Sequence, residues 1–98
     1  MNFAARPVIP AAMKPVKIYL THWCPYCQRA KALLEHRAIP YEEVDVDGDQ
    51  ATRRWLREAT GQRTVPQIFI GDESIGGYTE LAGLDRSGAL ASKLEAVS

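Results

Sequence analysis

The period of hydrophobic and polar residues changes along this chain, and each change marks an element. Residues 16–21, VKIYLT, are an unbroken β-branched and aromatic run, which predicts a buried strand. A helical period follows. Over 26–37, YCQRAKALLEHR, residues Cys27, Ala30, Leu33 and Leu34 share one face at i, i+3, i+6 and i+7, while Arg29, Lys31 and Glu35 can face water. Pro25 suits the first turn of this helix, where its missing N–H costs nothing, and Ala38 to Pro40 end it. At 41–46, YEEVDV, a second strand puts Val44 and Val46 on one face. Asp-Gly-Asp at 47–49 predicts a turn, with Asp49 able to cap a helix over 50–61. In that helix, QATRRWLREATG, Trp55, Leu56 and Ala59 share a face, and Gly61 closes it. QIFIG at 67–71 reads as a short buried strand, which Asp72 and Glu73 turn into a hairpin partner at 74–77. The remainder is helical, with a break expected around Asp85–Gly88 and an apolar stripe of Leu81, Leu84, Leu90, Leu94 and Val97.

The order β-α-β-α-β-β-α predicts an α/β fold with an early parallel, right-handed crossover and a late antiparallel pair. A length of 98 residues suits one domain. Residues 1–14 are expected to be a flexible tail, followed by a single domain over 15–98. Pro7 and Pro10 interrupt what would be the apolar stretch of a secretory signal, so none is expected. A cytoplasmic, reducing compartment follows, where a Cys-x-x-Cys pair is catalytic or metal-binding more often than a permanent staple. Twelve basic residues balance twelve acidic ones, so bulk charge calls for neither a nucleic-acid nor a membrane partner. No apolar run approaches the roughly 18 residues that span a bilayer.

Cys24 and Cys27 are the only cysteines, separated by Pro25 and Tyr26. A structural zinc site needs four ligands. The only histidines are His22 and His36, and His36 lies about two and a half helical turns from Cys27. No metal ligands are assigned. Gln28 stands where a c-type haem motif requires His. An iron–sulfur cluster shared between two chains stays open, although a rigid Pro25 and a nearby second thiol argue against it. Redox chemistry accounts for more of the pattern. Cys24 precedes a helix whose free N–H groups and dipole stabilise a thiolate. Cys27, one turn further in, is expected to be more buried, which suits a resolving thiol behind an attacking one.

Two further stretches agree. Thr64-Val65-Pro66 precedes a strand, where a cis Pro66 would leave the Val65 N–H and C=O outward, open to pairing with an extended peptide. Gly76-Gly77 leads into a helix, where free N–H groups can take a carboxylate; an ordinary Gly-rich turn is the equal alternative.

Taken together, CPYC (24–27), TVPQIFIG (64–71) and IGGYTEL (75–81) resemble the glutaredoxin family, dithiol class, in order and spacing over residues 15–97. The resemblance implies a thioredoxin-like fold, a four-stranded mixed sheet flanked by helices. It also implies a glutathione-dependent thiol–disulfide oxidoreductase that acts on glutathione mixed disulfides and protein disulfides. Glutathione is then a co-substrate, with no tightly bound cofactor and a monomeric state expected. Cys24 takes the role of nucleophile and Cys27 of second thiol. Tyr26, Arg53, Thr64, Val65, Pro66, Gly77, Tyr78 and Thr79 take glutathione-binding roles: Val65 through its backbone, Arg53 toward the glycine carboxylate, and the Gly77–Thr79 turn toward the γ-glutamyl carboxylate. Two positions depart from the common pattern. Thr21 stands where many relatives carry Lys, and Thr79 stands where they often carry Asp, leaving Glu80 to meet the γ-glutamyl ammonium.

Overall fold

The computed structural model describes residues 13–95. A four-stranded sheet in the order β2-β1-β3-β4 organises them. β1 (Val16–Leu20) pairs in parallel with β2 (Glu42–Asp45), and the helix α1 (Pro25–His36) makes the crossover between them. β3 (Gln67–Ile70) runs antiparallel to β1, with Ile18 opposite Ile68, and β4 (Glu73–Gly76) returns antiparallel to β3. The predicted order holds, and β4 starts one residue earlier than the sequence pattern suggests, because Gly71 at φ 60° turns the chain sooner.

One sheet face is covered by α1 together with α3 (Tyr78–Ser87) and α4 (Ala89–Leu94). Val16, Ile18 and Leu20 of β1, Ile68 and Ile70 of β3, Cys27, Ala30 and Leu34 of α1, and Leu81, Leu90 and Leu94 join in one buried cluster. The break expected in the last helix falls at Gly88, whose φ of 83° is the left-handed conformation glycine adopts at least cost. Leu33 and Leu84 pack only partly buried against that cluster, and Val97 lies outside the described residues.

α2 (Gln50–Thr60) lies on the opposite side of the sheet from that cluster, and it corrects the expectation for its apolar face. Leu56 is buried, whereas Ala59 is exposed and Trp55 keeps 45% of its surface exposed. Trp55 is not a core residue here. Its ring stacks on Phe69 at 5.7 Å and leans on Tyr19 at the same centroid distance. Strand alternation gives Tyr19 and Phe69 the face opposite Ile18 and Ile68, so the indole forms an open aromatic layer with them rather than entering the core. Asp49 caps α2 by accepting from the Thr52 N–H at 3.0 Å, as its position in the sequence predicts. At the chain's start, Met13 bridges Glu95 and the Lys14 N–H donates to the Leu94 carbonyl, so the last two residues of the expected tail are tied to the end of α4. Residues 1–12 lie outside the described residues. Among the described residues no helix is long and apolar enough to cross a membrane.

Candidate active site

β1 ends at Leu20, and the chain passes through Thr21–Trp23 to reach Cys24, the N-cap of α1. An N-cap is held in extended backbone so that its side chain can accept from the first turn. Cys24 has φ −123° and ψ 106°, and its Sγ accepts the Cys27 N–H at 3.1 Å. The sulfur thus sits against the positive end of the helix, beside its first free N–H groups. Pro25 takes the first helical position, as expected. Cys24 is partly exposed and Cys27 is fully buried, the asymmetry predicted from their spacing. Burial first, and then the hydrogen bond to Cys24, push the Cys27 thiol well above the ordinary cysteine range, against an opposing backbone hydrogen bond from Thr21. Cys27 therefore remains a neutral thiol where Cys24 can be a nucleophile.

Across the groove, the Val65–Pro66 peptide is cis. The Cys24 thiol donates to the Val65 carbonyl at 3.5 Å, so the segment before β3 abuts the sulfur. A groove of about 480 Å³ continues from there, floored by Thr64, Val65 and Pro66 and walled by Tyr26 on one side and Gly77, Tyr78 and Thr79 on the other. Tyr26 is half exposed, its ring 6.4 Å from that of Tyr78 and covered by the Arg29 guanidinium at 5.2 Å. Gly77 approaches the Pro66 carbonyl so closely that a Cβ there would lie 3.3 Å from it, and Gly76 before it takes φ 110°, a conformation that favours glycine.

Seven of the expected groove residues, those from Tyr26 to Thr79 other than Arg53, line this one depression. Arg53 does not. It borders a small crevice with Arg57, Arg63 and Val65, on the α2 side of the same loop, so three arginines surround the outer edge of the Val65 segment. The Gly77 N–H is also not free for a ligand, since it donates to Glu80 Oε1 at 2.8 Å, the third helical residue folding back on a cap that has no side chain of its own. The Glu80 carboxylate is thus already folded back on this helix end.

Five groove residues escaped the sequence reading: Thr60, Gln62, Gln67, Ser74 and Ile75. Gln67 is the one with a signal, a polar residue opening an otherwise apolar strand. A further pairing also escaped it. His22, two residues before the nucleophile, places Nδ1 2.8 Å from Asp47 and 3.4 Å from Asp45. Donor atoms of these three lie within 4.8 Å of one another and are the group among the described residues able to close on a divalent cation; the hydrogen bonds between them already explain the geometry.

Comparisons with known proteins bear on this arrangement. A family model described as glutaredoxin matches residues 16–75. A glutaredoxin of Pseudomonas aeruginosa is 45% identical over 84 residues, which cover 86% of this chain and all of the relative. Glutaredoxin 3 of Escherichia coli is 45% identical over 78 residues, 80% of this chain and 94% of that one. Among solved structures, glutaredoxin from Brucella melitensis superposes with a TM-score of 0.78 at 41% identity, covering 88% of this chain and 94% of the other. A buckwheat glutaredoxin in complex with glutathione superposes with a TM-score of 0.78 at 33% identity, covering 83% and 76%. With a thioredoxin-like sheet, a Cys-x-x-Cys pair capping its first helix and this likeness over most of its length, the chain belongs to the glutaredoxin family of thiol oxidoreductases.

Proposed function

We propose that this glutaredoxin uses glutathione to reduce glutathione mixed disulfides and, through both cysteines, protein disulfides. The observation that carries this reading is the meeting of the Cys24 thiol with the Val65 carbonyl at the head of a groove long enough for a tripeptide. An extended peptide can pair with the Val65 backbone there, with one carboxylate toward the first turn of α3 and the other toward the arginines beside Val65. Arg53 acts on that second carboxylate together with Arg57 and Arg63. Tyr26 and Tyr78 flank the sulfur end, and Thr64, Pro66, Gly77 and Thr79 shape the floor and wall.

In the proposed cycle the Cys24 thiolate attacks the glutathionyl sulfur of a mixed disulfide. The old S–S bond breaks, the target thiolate leaves and takes a proton from solvent, and Cys24 carries glutathione. A second glutathione, as thiolate, attacks that same glutathionyl sulfur. Oxidised glutathione leaves and the Cys24 thiolate returns. For a protein disulfide, Cys24 forms a mixed disulfide with the target, and Cys27, on losing its proton, displaces the target and closes Cys24–Cys27. Two glutathione molecules then reopen it. Only thiols take part, so the cycle calls for no tightly bound cofactor. It runs in a reducing compartment such as the cytoplasm, and a monomer suffices for it.

A coupled assay with a glutathione mixed disulfide tests this. Cys24→Ser is expected to fall to background. Cys27→Ser is expected to keep mixed-disulfide reduction and to lose protein-disulfide reduction, because only Cys24 is reachable from the groove while Cys27 is buried behind it. Equal loss in both variants removes the single-thiol cycle.

A further inference from the structure

We infer that Gln67 is a positioning residue, whose buried amide holds the Val65 N–H toward the groove; the inference rests on the glutathione reading above. Gln67 is 1% exposed and is the one polar or charged side chain in the buried set among the described residues. It opens β3 opposite Tyr19 and precedes Ile68 and Ile70, both apolar and buried. An apolar side chain of equal length would fill this place more cheaply. The Gln67 Oε1 finds no partner among the protein's groups, and a buried acceptor left unmatched costs free energy. That cost stands against whatever the amide gains through its Nε2, so apolar packing does not select an amide at this position.

Its other end points to the account. Gln67 Nε2 donates to the Thr64 carbonyl at 2.9 Å and lies 3.4 Å from Thr64 Oγ1. The peptide linking Thr64 to Val65 is one rigid plane, with the carbonyl of Thr64 and the N–H of Val65 on opposite sides of it. Drawing that carbonyl inward onto Gln67 turns the Val65 N–H outward. The same segment carries the Val65 carbonyl that receives the Cys24 thiol, so one buried hydrogen bond sets the backbone that faces both the sulfur and the ligand. Gln67 itself borders the groove together with Thr64 and Val65. A residue that breaks the local packing rule is expected where it serves a site, and Gln67 fits that pattern.

The test compares Gln67→Met and Gln67→Asn with wild type, reading the thermal midpoint and steady-state kinetics with a glutathione mixed disulfide. Gln67→Met removes the donor at nearly constant length; Gln67→Asn keeps the amide but is one methylene too short to reach Thr64. The expected result is a Gln67→Met midpoint equal to or above wild type, a KM raised about three- to tenfold in both variants, and kcat within about twofold, the signature of lost binding rather than lost chemistry. A Gln67→Met variant that fails to fold or melts well below wild type overturns the inference, since the amide is then structural. A folded variant with wild-type KM overturns it too. Wild type without activity on the mixed disulfide instead removes the functional reading on which it stands.

Discussion

His22 donates its backbone N–H to Asp47 Oδ2 at 2.9 Å and sets its ring nitrogen 2.8 Å from the same oxygen, tying the approach to Cys24 to the turn after β2. The hydrogen bond to Asp47 and the charge of Asp45 raise the His22 pKa, while the His22 backbone and ring lower that of Asp47. The signs give a window. A histidine with a raised folded pKa stabilises fully below its unfolded value, about 6.5, and loses that contribution as pH rises through the folded value. The Asp47 contribution exists above its unfolded value, about 3.9, and is lost as pH falls through its lowered folded one. Comparing thermal midpoints of wild type and His22→Gln, which keeps the backbone bond, should show a gap in mildly acidic buffer that closes as pH rises past neutrality. Added salt should narrow that gap, because the pair is exposed. A gap independent of pH would mean that ring packing, not charge, holds this loop. The cysteines themselves were legible in the sequence because a helix fixes what three positions of separation mean. His22 and Asp47, 25 positions apart, were not, since only the parallel pairing of β1 with β2 brings their loops together.

The end of α1 shows local chemistry set against its own sequence. The Ile39 N–H returns to the Leu34 carbonyl and the Ala38 N–H to that of Glu35, a Schellman closure in which Leu34 and Ile39 also meet in the core. This closure needs a left-handed residue, and the chain supplies Ala38 at φ 57°. A Cβ in that conformation costs about 1–2 kcal/mol, partly offset because glycine loses more freedom on folding. Ala38→Gly should therefore stabilise the protein by roughly 0.5–1 kcal/mol in urea unfolding at unchanged activity, the position being remote from the groove. An unchanged or lower midpoint would show that the strain is relieved in another way. The sequence pattern located this helix end, but not its conformation, since alanine announces no turn. Gly61 and Gly88 do announce theirs, and both ends were legible.

Across the whole molecule, one core joins the sheet to α1, α3 and α4, and Leu34 lies fully buried in it. Leu34→Ala should cost about 2–5 kcal/mol, the transfer of lost methyl groups plus the cavity they leave. Urea unfolding followed by far-UV dichroism measures this, and a cost under about 1 kcal/mol would mean that the core collapses around the gap. Arg37 and Asp85 clamp α1 to α3 through two hydrogen bonds of 2.9 and 3.0 Å, and Lys93 reaches Glu73 from α4, contacts between elements that no local pattern announces. The sequence by itself determined the element order, the parallel start and antiparallel finish, the unequal cysteines and most of the groove. The elements and the cysteines follow from period and capping, which act over a few residues, and the groove residues from the family resemblance that CPYC, TVPQIFIG and IGGYTEL carry. Only the tertiary structure decided that Trp55 lies open on an aromatic layer, that Arg53 stands outside the groove among other arginines, that Glu80 occupies the Gly77 N–H and that Gln67 is buried with its amide on the Thr64 carbonyl. Those outcomes depend on which face of an element meets which neighbour, and that is settled by packing between residues far apart in the chain.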